Sequence, residues 1–513
     1  MEAATLRRGG ASAYVQSLGE AVRARSRAFW IVAGLTALAA LLRFLTLGVQ
    51  SYHHDEIVTA TRVLPGSFAH AMDAVGFSES APPLYYALAW VWTQLWGTGE
   101  VGLRSLSALA GVATVPVVYL IGAELRGRRA GLMAAALVAV NPMMLWYSQE
   151  ARAYALFALL CAVSLFYCVR ALRHGRRADV LAWGIASALA LSTHYFAIFP
   201  VLAEALLLLL RRRGRDSFRG LAVIVVSCLL LAPLALDQMA AGRADWIGNF
   251  SLGHRLWETA ATFVTGETGD IIGRHEHPLT AYLPLALCLL GLALLAWRAD
   301  REERRSASVP LLVALAALGI PIALALVSAS KDYVLARNLI PALVPLLVAV
   351  AIGVTLPGAR RLGMLVGGAL LVYSLGFCVW ASADPNLQRP DWNAVASRLG
   401  EPDGPRATVT WALGEAPLRY YLSTGAIQVK ASQGYDWLVH EIDFVSDGSV
   451  PPPGRHVLGP GFRESAHEDT GRLFIRRYRV PGPGLAPLRL RSLPHADLNF
   501  RTNGVLLDGI GPQ

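Results

Sequence analysis

Apolar stretches of roughly 20 residues recur from residue 28 to about residue 382, and they constrain the fold of this chain more than any other feature. A helix of about 20 apolar residues crosses the roughly 30 Å hydrocarbon core of a membrane. The composition agrees, because 54% of the 513 residues are hydrophobic and only 16% are charged, whereas soluble domains carry roughly 25% charged residues. The sequence therefore predicts a polytopic α-helical membrane protein.

Eleven stretches are predicted to span the membrane. They are 28–49, 102–124, 130–147, 153–172, 180–194, 197–210, 220–240, 280–297, 308–328, 338–356 and 362–382. The segment 82–97 is apolar and rich in tryptophan but short, which is typical of a helix lying at the membrane interface. The run 28–49 is longer than the apolar core of a signal peptide, so it is interpreted as the first span behind a basic cytoplasmic leader, residues 1–27.

The distribution of basic residues predicts the orientation of these spans. With the N-terminus inside, the cytoplasmic segments hold 23 basic residues and the opposite membrane loops hold seven, as the positive-inside rule requires. The net charge of +10 therefore reflects membrane topology and does not indicate a nucleic-acid partner. All five cysteines lie inside apolar runs, which excludes a disulfide framework and a zinc knuckle.

The composition changes after residue 382, where turn residues and short β-rich runs replace the apolar stretches. An odd number of spans places residues 383–513 outside the cytoplasm. We expect a small extracytoplasmic α/β domain, with a helix at 392–399 and strands at 407–413, 426–430 and 472–480. The division is thus a leader (1–27), a transmembrane domain (28–382, with a first outer loop at 50–101) and this C-terminal domain.

The ionisable residues of the outer loops are the candidates for function, because charges near a membrane are costly. Adjacent acids, Asp55 and Glu56, follow the first span within SYHHDEI, and later outer loops supply arginines and a lysine. A carboxylate can act as a general base, and basic side chains can stabilise a departing phosphate. This combination favours the transfer of a sugar from a lipid phosphate.

The order of the motifs resembles that of the GT-C superfamily of membrane glycosyltransferases, specifically the family 39 protein O-mannosyltransferases and the lipid A aminoarabinose transferases. The matching stretches are the Asp55-Glu56 pair, PPLYY, SQEARAY, THYF, ARNLIP and RPDW. The resemblance implies the GT-C fold, a polyprenyl-phosphate sugar donor and inversion at the anomeric carbon. It does not imply a protein acceptor, because the luminal repeat insertion of the eukaryotic enzymes is missing.

The resemblance also implies roles for individual residues. Asp55 corresponds to the catalytic base and Glu56 to a helper, while Arg152 and Arg337, with Lys331, are candidates for binding the donor phosphate. Further candidate substrate contacts are His54, His194, Tyr195, Tyr333 and Glu150. The acceptor is left open among a glycolipid, a polysaccharide and a protein.

Three alternatives stay open at this point. A divalent cation, Mg²⁺ or Mn²⁺, could bridge Asp55 and the donor phosphate, although neither His53-His54 nor His275-Glu276-His277 has the ligand spacing of a transition-metal site. A secondary transporter would also carry charges near the membrane, but in broken helices at mid-span. A non-catalytic glycolipid-binding subunit could share the same fold.

Overall fold

The computed structural model describes residues 27–212, 214–268, 279–328, 332–422, 425–429, 437–447, 461–488 and 503–508. Contacts between Cα atoms divide the chain into two compact units. The membrane unit comprises the described residues of 1–45, 71–97 and 102–380. The sheet unit comprises those of 46–70, 98–101 and 381–513. The first outer loop is therefore shared between the two units, and its acidic end belongs to the sheet unit.

Helices account for most of the described residues up to 383. They are α1 (Arg27–Phe44), α2 (His54–Val58, continued by a π turn Thr59–Val63), α3 (Phe68–Ser78), α4 (Leu84–Trp96), α5 (Glu100–Arg126), α6 (Arg128–Ala139), α7 (Pro142–Ser148), α8 (Tyr154–His174), α9 (Arg177–Leu191), α10 (Ile198–Arg211), α11 (Arg215–Ala240), α12 (Leu252–Thr265), α13 (Leu279–Arg298), α14 (Arg301–Val327), α15 (Leu343–Val354, preceded by a 3₁₀ turn Ala336–Ala342) and α16 (Arg360–Ala383).

Each of the eleven predicted spans coincides with helix. Among the described residues, eight helices are long and apolar enough to cross a membrane, or nine if α6 and α7, which meet at 56°, form one bent span. The other two predicted spans are α9 and α10, of 15 and 14 residues, shorter than the about 20 residues that a full crossing takes. Helix α4 has 13 residues, so it too is short for a span.

A buried carboxylate joins these two short helices to α8. Trp183 Nε1 of α9 donates to Glu204 Oε2 of α10 at 2.8 Å, and the hydroxyl of Ser164 in α8 donates to the same oxygen. Glu204 is only 1% exposed. Polar groups that bond across helices stabilise packing inside a membrane, where association gains little from the hydrophobic effect.

Close backbone contacts between glycines bring other helices together. A Cβ atom on Gly353 of α15 would lie 2.1 Å from the carbonyl oxygen of Gly291 in α13. A Cβ atom on Gly184 of α9 would lie 2.7 Å from the carbonyl oxygen of Gly220 in α11. Small residues at such crossings allow the backbones to approach, so these pairs set the spacing of the helices.

The sheet unit contains the helix predicted at 392–399 and a mixed sheet. Its elements are α17 (Trp392–Leu399), β1 (Arg406–Trp411), α18 (Ala412–Tyr421), β2 (Ile427–Val429), β3 (Trp437–Val439), β4 (Glu441–Asp447), β5 (Arg463–Asp469), β6 (Leu473–Arg479), β7 (Ala486–Leu488) and β8 (Asn503–Asp508). Six strands pair in the order β2-β8-β1-β4-β6-β5, with β1 parallel to β4 and the other pairs antiparallel. Strands β3 and β7 form a separate antiparallel pair.

The predicted strands are thus found, with one end corrected. The strand predicted at 407–413 ends at Trp411, because the chain turns there into α18, whose first residue is Ala412. Arg406, at the start of β1, is fully buried and donates to Asp508 Oδ2 at 2.5 Å and to the carbonyl oxygen of Leu399 at 2.7 Å. This arginine therefore ties the end of α17 to the centre of the sheet.

Candidate functional site

The acid turn, residues 52–56, belongs to the sheet unit and gives its two carboxylates different surroundings. The side chain of Glu56 is fully buried, and its Oε2 accepts a hydrogen bond from the backbone N–H of His53 at 3.2 Å. The side chain of Asp55 is 29% exposed, with Oδ2 4.0 Å from Nε2 of His53. Glu56 is therefore engaged in holding the start of α2, while Asp55 is the carboxylate that solvent reaches.

His54 is a poor proton carrier in this setting. Burial lowers the pKa of its imidazole below the ordinary value, and the nearby Asp55 carboxylate only partly opposes this effect. Because burial disfavours the charged form of this imidazole, the Asp55 carboxylate is the stronger candidate for the base.

In the membrane unit, Arg152 lies in a buried ion pair that the sequence analysis did not include. Its Nη1 donates to Glu79 Oε1 at 2.9 Å and its Nη2 to Glu79 Oε2 at 2.7 Å. The two side chains are only 12% and 3% exposed. Tyr86 donates to the same carboxylate at 2.7 Å, and the Arg152 guanidinium lies 5.8 Å from the centre of its ring. Two of the five guanidinium donors thus orient this arginine.

Arg337 and His194 share the neighbourhood of Arg152. The guanidinium of Arg337 lies 5.8 Å from the ring centre of Tyr154, and that ring lies 5.9 Å from the imidazole of His194. His194, in the connection after α9, has its pKa lowered by burial first and then by the charges of Arg337 and Arg152. We call Arg152, Arg337 and His194 the basic cluster.

The remaining predicted contacts fall into three groups. Glu150 is buried, and its carboxylate lies close enough to Tyr147 to interact with it electrostatically, as does the guanidinium of Arg337 with the opposite sign. Tyr195 donates to Gln238 Oε1 at 2.9 Å and Tyr333 to Asp245 Oδ1 at 3.3 Å, so both hydroxyls bond to other segments of the membrane unit. Lys331 and the His275-Glu276-His277 stretch lie outside the described residues.

Two buried residues that support the SQEAR stretch also escaped the sequence analysis. One is Glu79; the other is Arg43, whose Nε donates to Ser148 Oγ at 3.1 Å and whose carbonyl oxygen accepts from Gln149 at 3.0 Å. The sequence does contain a signal for each: Arg43 is the only charged residue of the predicted span 28–49, and Glu79 is the acid that precedes PPLYY. A charge near a membrane is costly unless another group pairs with it. The sequence does not identify the partner of either charge, because each partner lies more than 70 positions away in the chain.

An apolar cavity of about 310 Å³ lies within the membrane unit. Side chains from α12, α13, α14 and α15 line it, among them Leu256, Phe263, Cys288, Ile322 and Leu343. Leu339, in the same 3₁₀ turn as Arg337, also lines it. The cavity is suited to a hydrocarbon chain, because apolar side chains make up nearly the whole wall.

Sequence comparison gives two matches. Residues 80–236 match the family model described as dolichyl-phosphate-mannose-protein mannosyltransferase. The chain is 22% identical, over 208 residues, to a Bacillus subtilis (strain 168) protein named putative mannosyltransferase YkcB. That match covers 39% of this chain and 29% of the relative, so the chain matches less than a third of the length of that relative.

Structure comparison covers more of the chain. The structure of ArnT from Cupriavidus metallidurans bound to undecaprenyl phosphate matches with a TM-score of 0.50 and 17% identity, over 87% of this chain and 97% of that one. An oligosaccharyltransferase of Archaeoglobus fulgidus, in complex with Zn and sulfate, matches with a TM-score of 0.44 and 16% identity, over 77% of this chain and 57% of that one. The match to ArnT shows that the chain has the GT-C fold.

Proposed function

We propose that the protein is an inverting glycosyltransferase that moves a sugar from a polyprenyl-phosphate donor to an acceptor hydroxyl. The reaction would take place at the outer face of a bacterial cytoplasmic membrane, with the N-terminus inside and the sheet unit outside. The observation that carries the proposal is the basic cluster on a GT-C fold, where the charges of Arg152 and Arg337 both act on the buried side chain of His194. Such a group is suited to an anionic phosphate.

In the proposed reaction, Asp55 accepts the proton of the acceptor hydroxyl as that oxygen attacks C1 of the sugar. The attack comes from the face opposite the phosphate, so the configuration at C1 inverts. As the new C1–O bond forms, the bond from C1 to the phosphate oxygen breaks, and the electron pair leaves with the polyprenyl phosphate. Arg337 and Arg152 stabilise the negative charge that develops there.

The ion pair with Glu79 suggests different roles for Arg152 and Arg337 in the proposed reaction. Because Glu79 binds two donors of Arg152, we assign Arg152 mainly to shaping the site and Arg337 to contacting the phosphate. The apolar cavity is lined by Leu339, which lies in the same 3₁₀ turn as Arg337. We assign this cavity to part of the polyprenyl chain. ArnT, which has the same fold, was crystallised with undecaprenyl phosphate, and this supports a donor of that class.

The proposal is tested with purified protein in nanodiscs, supplied with undecaprenyl-phosphate hexoses and pentoses together with extracted envelope acceptors. Mass spectrometry should detect the glycosylated acceptor. Asp55→Asn should lower kcat by about 10²- to 10⁴-fold, the usual contribution of a general base, with thermal unfolding unchanged. The control is Glu464→Gln, at an exposed acid of β5. Full activity of Asp55→Asn would refute the assignment of the base.

A divalent cation is a separate proposal within the same mechanism. Among the described residues, no group of three or more His, Cys, Asp or Glu side chains is arranged to hold a metal ion. We propose that such a cation would take Asp55 and the donor phosphate as joint ligands. Transfer that stops with EDTA and returns with Mg²⁺ or Mn²⁺ would support this role, and transfer unaffected by EDTA would refute it.

A further inference from the structure

The first residue of the acid turn, Tyr52, is hydrogen-bonded to other parts of the sheet unit through both its backbone and its side chain. Tyr52 is fully buried. Its hydroxyl donates to the carbonyl oxygen of Thr98 at 2.8 Å, and its backbone N–H donates to the hydroxyl oxygen of Tyr421 at 2.7 Å. Because Tyr52 lies three residues before Asp55, these bonds fix the backbone from which the acid turn starts.

The hydroxyl of Tyr421 connects two segments that are distant in sequence. While it accepts from Tyr52, it donates to Glu100 Oε1, at the start of α5, at 2.6 Å. Tyr421 itself is the last residue of α18, and the same helix packs against α2, which begins at His54. Helix α18 therefore contacts both the acid turn and α2.

A second set of bonds joins the preceding residues to the RPDW stretch. Ser51 donates its hydroxyl to the carbonyl oxygen of Pro390 at 3.0 Å and accepts from the backbone N–H of Trp392 at 2.8 Å. Arg389 donates to Gln50 Oε1 at 3.2 Å. The residues before the acid turn are thus bonded to the start of α17, which Arg406 ties to the sheet.

We propose that Tyr421 is a positioning residue for Asp55, and that the sheet unit serves the reaction by holding the acid turn. The inference rests on the proposed function, since it assumes that Asp55 is the base. Proton transfer requires the carboxylate within hydrogen-bonding reach of the acceptor hydroxyl, and a displacement of about 1 Å can cost roughly a hundredfold in rate. The bonds from the rest of the sheet unit would restrict the backbone of the acid turn and so keep Asp55 in position.

The test compares Tyr421→Phe with Tyr420→Phe. Both variants keep the aromatic ring and lose a hydroxyl, and the neighbouring Tyr420 is 41% exposed. In Tyr421→Phe we expect kcat to fall by about 10- to 100-fold, with KM for the donor and the melting temperature nearly unchanged. Hydrogen exchange of the amides in residues 52–58 should accelerate by about tenfold, because the bond to Tyr52 is lost. Tyr420→Phe should match the wild type in all measurements.

Hydrogen exchange separates a failure of this inference from a failure of the proposed function. If the wild type transfers no sugar, the proposed function fails, while faster exchange in Tyr421→Phe still supports the hold on the turn. If the wild type is active, unchanged exchange or unchanged kcat in Tyr421→Phe overturns the inference. Should Tyr421→Phe fail to fold, Ser51→Ala removes the bonds to Pro390 and Trp392. This variant must then show both a lower kcat and faster exchange.

Discussion

In the acid turn, hydrogen bonds that involve backbone groups hold Glu56 and Tyr52, whereas in the basic cluster a side-chain ion pair orients Arg152. Glu56 bonds the N–H of His53, and Tyr52 is bonded through its own N–H. Arg152, by contrast, is oriented by the carboxylate of Glu79. A hydrogen bond to a backbone group can persist when the side chain is neutralised, but removing one charge of a buried ion pair strongly lowers stability. The two regions should therefore respond differently to mutations that neutralise or remove a side chain.

The largest effect on stability is expected for Glu79→Ala. It removes the carboxylate that binds two donors of the buried Arg152 guanidinium, and the loss of one member of a buried ion pair typically costs about 3–5 kcal/mol of unfolding free energy. Thermal unfolding of the purified protein measures this loss. Asp73→Ala, at an exposed acid of helix α3, which ends one residue before Glu79, is the control, and the double variant Glu79→Ala/Arg152→Ala should recover part of the stability. A melting temperature like that of the control would contradict charge pairing as the basis of the cluster.

Arg337→Ala should weaken binding of undecaprenyl phosphate by about 10- to 100-fold, because a hydrogen bond to a charged group contributes roughly 1.5–3 kcal/mol. Arg304→Ala, at an exposed arginine of α14, should bind this lipid like the wild type. Thermophoresis with a fluorescently labelled protein measures both dissociation constants. Equal affinity in Arg337→Ala would remove this residue from the phosphate site.

Within the acid turn, Glu56→Gln should have a small effect. The amide oxygen of glutamine can still accept from the N–H of His53, so we expect kcat to fall by less than about tenfold, the cost of weakening one hydrogen bond. Glu56→Ala removes the acceptor and should cost more. The two variants are compared by initial rates at saturating donor. If Glu56→Gln is as inactive as Asp55→Asn, the charge of Glu56 is needed and the backbone-held description of the turn is wrong.

The smallest expected effect concerns the pH dependence of stability. Asp332 receives hydrogen bonds from Arg255 and from the backbone N–H of Val334, and Arg255 is the main cause that lowers the pKa of its carboxyl below the ordinary value. Its stabilising contribution is present above the ordinary aspartate pKa of about 3.9 and is lost as the pH falls through the lower folded value. Melting temperatures of the wild type should therefore converge with those of Asp332→Asn at acidic pH. A constant difference between pH 3 and 7 would contradict this.

Local patterns predicted the helices and several strands well. Apolar length places a helix in every predicted span, since each such segment must satisfy its own backbone hydrogen bonds in lipid. The predicted bounds 180–194 and 197–210 were already short, and the structure adds the bonds to Glu204 that join α9 and α10 to α8. Apolar length could not divide the first outer loop, whose acidic end belongs to the sheet unit while residues 71–97 belong to the membrane unit.

The candidate site shows the same contrast. Asp55 and Glu56 were recognisable from sequence because they adjoin each other directly after a span, and Arg152 and Arg337 because they lie in recognisable motifs. Glu79, which pairs with Arg152, and Tyr421, which bonds the backbone of Tyr52, were not predicted, since each contact joins positions far apart in the chain. Hydropathy and motif order alone determined that this is a membrane protein resembling the GT-C glycosyltransferases. Only the tertiary structure decided which charges are paired and which backbone groups hold the acids, because those interactions depend on distances that sequence spacing does not contain.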